Sequence, residues 1–110
     1  MDQRIDLPQG TLDLLILRTL KLGARHGQGI AKAIQLTSDD VFLVDHGSLY
    51  LALQRLETGA LVKGEWGVSE NNRRARFYTL TARGRKQLSE KTNSWLRIAR
   101  AMGRILEAES

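Results

Sequence analysis

The chain has 110 residues, no cysteine and a formal net charge of +5. Its length fits one domain, and the absence of cysteine excludes disulfides, thiolate metal sites and cysteine nucleophiles. No apolar run is long enough to span a membrane, and charges at Asp2, Arg4 and Asp6 interrupt any segment resembling a signal peptide, so we expect a cytoplasmic protein.

The first predicted helix is central to the core. Residues 1–9 show no clear period and are expected to lie extended, and Thr11 is then expected to cap a helix that continues to Leu22. Apolar residues lie on most sides of this helix, which is typical of a buried element. A second, shorter helix is expected after Gly27. The apolar run at 41–44 that follows is either a small strand or packed coil.

The third predicted helix starts near Ser48 and stops at Gly59. Its positions i, i+3, i+4 and i+7 form one apolar stripe that we expect to be buried: Leu49, Ala52, Leu53 and Leu56. The outward face carries a mixed set of side chains: Tyr50, Leu51, Gln54 and Arg55. A partner can therefore reach this helix from outside.

A β-hairpin is predicted over residues 61–81. Apolar residues recur at every second position on its two arms: Val62, Trp66, Val68, Tyr78 and Leu80. The turn contains four residues that favour turns: Ser69, Glu70, Asn71 and Asn72. We expect Trp66, Tyr78 and Leu80 to pack on the core, leaving only the tip, chiefly Arg73 and Arg74, for a partner.

A fourth helix is expected to begin at the N-cap Thr81 and to reach Glu107 at most, a length of about 39 Å. Such a helix should project beyond a compact domain of this size. A heptad-like seam runs along its second half: Trp95, Ile98, Ala99, Met102, Ile105 and Leu106. The seam either folds back on the first helix or meets a second copy of the chain. We favour the second copy, because the N-terminal core has enough apolar residues of its own.

Positive charge is concentrated late in the chain. Residues 1–70 carry 7 basic and 9 acidic side chains, whereas residues 71–104 carry 10 basic and 1 acidic, a net of +9. This asymmetry predicts a polyanionic partner. A solvated helix face explains the charge equally well.

The ionisable residues do not form a catalytic or metal-binding pattern. His26 and His46 lack the spacing of a metal pair, and the side chains of the adjacent Asp39 and Asp40 diverge. His46 and Ser48 are close in sequence but lack a nucleophile elbow or oxyanion motif. We therefore expect no enzyme, no metal and no cofactor.

Several segments of the chain resemble the PadR family of bacterial transcriptional regulators. Residues 47–57, Gly-Ser-Leu-Tyr-Leu-Ala-Leu-Gln-Arg-Leu-Glu, resemble the family's recognition-helix signature. Residues 64–66 and 71–81, with Gly84, resemble its wing and the start of its C-terminal helix, and residues 7–12 match as well. The block 65–81 resembles the acidobacterial-type branch in particular.

This resemblance implies a mainly α-helical fold with a small β-hairpin (α+β), in which residues 1–80 form a winged helix-turn-helix DNA-binding domain and residues 81–110 a dimerisation helix. It implies a homodimer, most often a repressor, on a pseudo-palindromic site in double-stranded DNA. Some members of the family respond to small molecules. Paired Trp95 side chains either anchor the dimer, which we favour, or stack a small aromatic effector.

The DNA contacts expected from the resemblance lie on two elements. The recognition-helix residues are Ser48, Tyr50, Leu51, Gln54 and Arg55, and the wing residues are Asn72, Arg73, Arg74 and Arg76. Several of these have alternatives. On the helix, Tyr50 packs on the second helix, Gln54 is an ordinary exposed glutamine, or Arg55 pairs with Glu57 or Glu65. On the wing, Arg76 is structural, or Asn72 serves turn geometry alone, which we favour for Asn72. The family often has proline at Leu51 and histidine at Gln54, so both departures bear on the target sequence.

A winged helix also serves as a protein-interaction module without a specific DNA target, because fold alone does not fix function. We prefer the DNA-binding interpretation because of the basic segment 71–104. RNA binding is a weaker alternative, because exposed aromatic stacking platforms are not evident.

Overall fold

The computed structural model describes Leu7 and residues 10–108. In chain order its elements are α1 (Thr11–Leu20), β1 (Arg25–His26), α2 (Gly27–Thr37), α3 (His46–Thr58), β2 (Val62–Val68), β3 (Arg74–Leu80) and α4 (Ala82–Glu107). The strands form an antiparallel sheet in the order β1-β3-β2. A helix-turn-helix (α2 and α3) is thus followed by a hairpin wing and a long last helix, which is the predicted α+β fold class.

The core lies where the first three helices meet the base of the wing and the start of α4. Its buried residues are Ile16, Leu17, Leu20, Ile30, Ile34, Leu49, Ala52, Leu53, Leu56, Val62, Tyr78 and Leu88. The whole predicted stripe of α3 belongs to this set. Phe42 and Val44 pack against it from an irregular segment, so residues 41–44 are packed coil rather than a strand.

The helix starts differ from the sequence prediction because the capping residues are different. Thr11 is the first residue of α1, and the N-cap is Gly10 with φ of 89°, a left-handed conformation that favours glycine. α3 begins before Ser48, because the Asp45 carboxylate accepts a hydrogen bond from the Ser48 N–H at 2.9 Å. The expectation that residues 1–9 lie extended falls, apart from Leu7, outside the described residues.

The short strand β1 was not expected from the sequence. Arg25 pairs with Tyr78 and His26 with Phe77. The His26 ring then caps α2, its Nδ1 accepting from the Gly29 N–H at 3.0 Å. Two residues are too few to show a strand period, which explains why the pattern did not reveal them.

The hairpin is confirmed, but its face is only half buried. The pairing runs from Val62 opposite Leu80 to Val68 opposite Arg74. Val62 and Tyr78 are buried and Leu80 is partly so, whereas Trp66 is 59% exposed. The expectation that Trp66 packs on the core is therefore wrong. The two strands extend past the core, and the partner directly across from Trp66 is Arg76.

α4 begins inside the core and ends outside it. Thr81 caps it as predicted, its Oγ1 accepting from the Gly84 N–H at 3.0 Å. Leu88 is buried, but the seam residues beyond it are largely exposed, reaching 74% at Ile105. The Cα radius of gyration is 15.5 Å, against about 13 Å for a compact domain of this length, which is consistent with the predicted projection.

Candidate nucleic-acid interface

The outward face of α3 is exposed because its opposite stripe is buried in the core. Tyr50 is 52% exposed, Leu51 is 60% exposed, and Gln54 is also exposed. These side chains combine an aromatic hydroxyl, an apolar tip and an amide. Such groups can bond phosphate, touch a thymine methyl and read the edge of adenine, respectively.

Tyr50 packs against the second helix, as one of its two predicted alternatives required, and it also remains partly exposed. A Cβ placed on Gly27 would lie 3.1 Å from the Tyr50 hydroxyl oxygen, so the ring lies close against the start of α2. About half of the side chain nevertheless faces outward. The glycine thus permits a close approach that fixes the ring without burying it.

Ser48 and Arg55 lie on the side of α3 nearer α1, and each already has a partner. The Ser48 Oγ donates to the Asp45 carboxylate at 3.1 Å, and the hydrogen bonds from Ser48 lower the pKa of that carboxyl. Arg55 pairs with Asp13 of α1, Nη2 to Oδ1, at 2.8 Å. The sequence offered Glu57 and Glu65 as partners of Arg55, and the structure selects neither.

The wing tip is a closed turn with cations beside it. The Ser69 N–H donates to the Arg73 carbonyl and the Asn72 N–H to the Ser69 carbonyl, each at 2.8 Å. Asn72 has φ of 59°, a conformation that asparagine tolerates better than most residues. Asn72, Arg73 and Arg74 are all exposed. The turn geometry therefore leaves both arginines accessible.

An exposed indole joins the wing arginines. The Arg74 guanidinium carbon lies 4.6 Å from the Trp66 ring centroid and that of Arg76 lies 5.8 Å from it. Arg76 also donates a hydrogen bond to the Glu57 carboxylate of α3, which raises the pKa of Arg76. Sequence reasoning missed Trp66 and Glu57 as parts of this surface, although it weighed a structural role for Arg76.

A groove of about 650 Å³ separates the wing from the start of α2. Its charged lining residues are Lys32, Glu70, Arg73, Arg74 and Arg76, and Tyr50, Trp66 and the buried Tyr78 line it as well. Burial raises the pKa of the Tyr78 hydroxyl, and a tyrosine hydroxyl is neutral near pH 7 even without such a shift. Four basic side chains and one acidic side chain give the groove a net positive charge, which favours the binding of a polyanion.

The seam of α4 lies away from this groove. Trp95, Ile98, Met102, Ile105 and Leu106 are exposed and Ala99 is half-buried. Trp95 also borders an apolar hollow of about 270 Å³ with Leu14, Phe42 and Leu96. An exposed apolar stripe of this kind is typical of a protein–protein contact.

A family model for the "Transcriptional regulator PadR-like family" matches residues 16–90. That span contains the helix-turn-helix, the wing and the first part of α4. The chain belongs to the PadR-like family. The resemblance seen in the sequence is confirmed, while the acidobacterial-type branch stays a prediction.

Solved structures support the same assignment. A transcriptional regulator from Clostridium thermocellum is 27% identical with a TM-score of 0.81, covering 90% of this chain and 93% of that one. A PadR family transcription regulator from Clostridium difficile R20291 is 32% identical with a TM-score of 0.75, covering 88% and 99%. A Lysinibacillus sphaericus protein named "Uncharacterized protein X" is 27% identical over 94% of this chain and 95% of its own length.

PadR-like proteins are DNA-binding transcriptional regulators rather than enzymes, so the family assignment confirms that part of the sequence prediction. Among the described residues, no His, Asp and Glu side chains cluster as metal ligands would. Within the same residues, no helix is both long and apolar enough to cross a membrane. In this PadR-like chain, the outward face of α3 and the wing tip, where the sequence predicts DNA contacts, are both exposed.

Proposed function

We propose that this protein is a cytoplasmic, homodimeric transcriptional repressor that binds a pseudo-palindromic operator. The observation that carries the proposal is the continuous surface from the outward face of α3, across the basic groove, to the exposed arginines at the wing tip. It combines groups that can read bases with cations that can hold the phosphate backbone.

The helix α3 supplies sequence choice in this proposal. Gln54 bonds the N6 and N7 edge of an adenine in the major groove, and Leu51 contacts a thymine methyl. Tyr50, nearer the helix N-terminus, bonds phosphate, and Ser48 does so in competition with its hydrogen bond to Asp45. Arg55 contributes a backbone contact that competes with its ion pair to Asp13.

The wing supplies affinity. Arg73 and Arg74 lie over phosphates or enter the minor groove, where the negative potential is strongest when the groove is narrow. Asn72 shapes the turn and bonds a sugar or a base edge. Arg76 adds charge to the same surface, but it shares that charge with Glu57.

The C-terminal helix supplies dimerisation. We assign DNA binding to residues 1–80 and dimerisation to residues 81–110, with the first turns of α4 packed into the shared core. A second copy covers the exposed seam of Trp95, Ile98, Ala99, Met102, Ile105 and Leu106. Two recognition helices related by a twofold axis enter successive major grooves about 34 Å apart.

The wing is tested by replacing both arginines, Arg73→Ala with Arg74→Ala. We expect affinity to fall on every DNA sequence, with the slope of log affinity against log salt reduced by about four for the dimer, since each of its two wings loses two phosphate contacts and each contact contributes about one. Titration with fluorescent genomic fragments at several salt concentrations measures both quantities.

The matched control is Arg97→Ala with Arg100→Ala, which removes the same charge from exposed positions on α4. This control should retain most of the wild-type slope. An equal loss in both double mutants would show that only net charge matters. Unchanged binding in the wing mutant would contradict the proposed role of the wing.

The proposal also includes a binding site for a small aromatic effector beside Trp95. The hollow beside Trp95 has the apolar lining that a flat aromatic ligand needs, and two copies of Trp95 near a dimer axis would sandwich it. Planar cations or phenolics should then quench Trp95 fluorescence and weaken DNA binding. If a broad aromatic panel produces no quenching, Trp95 is left with the dimer contact alone.

A further inference from the structure

We propose that Trp66 is a positioning residue of the DNA-binding surface, holding the Arg74 guanidinium in place for a phosphate. The inference rests on the proposed DNA-binding function. It gives a role to an indole that the hairpin pattern assigned to the core and the structure leaves exposed.

The strand register creates this arrangement. Trp66 on β2 lies directly across from Arg76 on β3, and Arg74 is two residues away on the same face of the hairpin. Both guanidinium groups lie within cation–π range of the ring, with Arg74 the nearer at 4.6 Å. The Trp66 indole therefore lies against the guanidinium of Arg74, a cation that the wing presents to DNA in the proposed function.

The two arginines differ in what else holds them. Arg76 is anchored to α3 through Glu57, and its guanidinium occupies space that a side chain at Gly64 would fill, since a Cβ there would lie 2.6 Å from the Arg76 Nε. Within residues 10–108, no carboxylate forms an ion pair with Arg74. The ring is thus the main restraint on Arg74.

Stacking leaves a guanidinium competent to bind phosphate. The ring contacts its flat face, while the N–H donors lie in the plane and remain free to bond an oxyanion. A long side chain that is already ordered loses less conformational freedom on binding. Trp66 should therefore increase the contribution of Arg74 to DNA affinity, and it should not increase that of Arg73.

Double-mutant cycles test this directly. The first cycle combines Trp66→Leu with Arg74→Ala, and the matched cycle combines Trp66→Leu with Arg73→Ala, the neighbouring exposed arginine. We expect the effect of Arg74→Ala on Kd to be about two- to five-fold smaller per wing once Trp66 is absent, because Trp66 then no longer orders this one side chain before binding. The Arg73 cycle should be additive, and Trp66→Phe should retain part of the coupling.

A measurement on the free protein separates this proposal from the proposed function. The Arg74 Nε–H resonance should show a ring-current shift that Trp66→Leu abolishes. Equal coupling in both cycles would assign Trp66 a structural role in the hairpin, and additivity in both would show that it does not act on Arg74; either result overturns the proposal. If the wild type binds no DNA at all, the proposed function is wrong. The positioning role of Trp66 in DNA binding is then wrong as well, even if the ring-current shift is present.

Discussion

Gln54 on α3 and Asp45 just before it have different surroundings, which suit the two residues to different roles. Gln54 directly follows the buried Leu53 in sequence and is exposed on the outward face of α3. Asp45 lies just before the helix, and its carboxylate accepts hydrogen bonds from both the N–H and the hydroxyl of Ser48. Gln54 should therefore affect which DNA sequences are preferred, and Asp45 should affect how the stability of the protein depends on pH.

Replacing Gln54 with alanine should change which DNA sequences are preferred. The loss of a bidentate contact to adenine costs about 1–3 kcal/mol of discrimination at the affected base pair. We expect the preference to relax at one or two positions in each half-site, while affinity for non-specific DNA stays nearly constant. Binding-site selection with both proteins measures this, and identical selected sequences would remove Gln54 from the readout.

Replacing Asp45 with asparagine should make stability less sensitive to acid. The pKa of Asp45 is lowered in the folded protein by its hydrogen bonds from Ser48. A depressed pKa contributes stability above the unfolded value, and that stability is lost as the pH falls through the folded value. Urea midpoints between about pH 5 and pH 2 should therefore fall more steeply in the wild type than in Asp45→Asn. Parallel curves would contradict this.

At the scale of elements, the junction of α4 with the wing depends on one glycine. A Cβ on Gly84 would lie 2.1 Å from the Leu61 carbonyl oxygen, far inside contact distance. The helix thus lies directly on the chain that enters β2. Its cap Thr81 reinforces the junction by donating to the Ala60 carbonyl at 2.7 Å. This junction determines the direction in which α4 leaves the core.

Gly84→Ala should destabilise the fold by about 1–3 kcal/mol or more, because the backbone of Leu61 must move to admit the methyl group. Ser89→Ala is the control, since Ser89 is exposed on the same helix and should change stability by at most about 0.5 kcal/mol. Urea denaturation followed by circular dichroism measures both. Equal stability of the two variants would show that the junction adapts freely.

The elements differ in how far their sequence patterns could define them. The buried stripe of α3 and the cap of α4 were predictable, because period 3.6 and capping chemistry are local. The hairpin was predictable as a pair of strands, but alternation alone does not show where the core ends. The register shows it: Val62 meets Leu80 over the core, whereas Trp66 meets Arg76 beyond it.

Contacts between distant segments could not be predicted by the same reasoning. The Arg55–Asp13 pair joins α3 to α1, and the Arg76–Glu57 pair joins the wing to α3. Each depends on how elements pack in three dimensions, and periodicity carries no such information. The groove between the wing and α2 follows from the same packing.

At the scale of the whole molecule, the basic groove and the apolar seam lie on different parts of one elongated chain. The principal extents are 57 × 36 × 21 Å, and the whole apolar seam lies on the second half of α4. Pairing through the seam would leave both wings free. The two surfaces should therefore be separable by mutation.

Introducing charge into the seam, Ile98→Asp with Ile105→Asp, should give a folded monomer, because both side chains are exposed in the single chain. DNA affinity should fall, since a monomer engages one half-site only. Sedimentation and circular dichroism measure assembly and folding. Arg97→Ala, on the far side of the helix, should remain dimeric. A dimer in the charged variant would place the interface elsewhere.

Selection of bound fragments from sheared genomic DNA with the purified protein measures whether α3 and the wing together bind a specific operator. We expect enrichment of a pseudo-palindromic sequence whose half-sites are about one helical turn apart, with affinity that falls steeply as salt is raised from about 50 to 200 mM. Recovery of fragments without a shared sequence, or binding that is insensitive to salt, would contradict it.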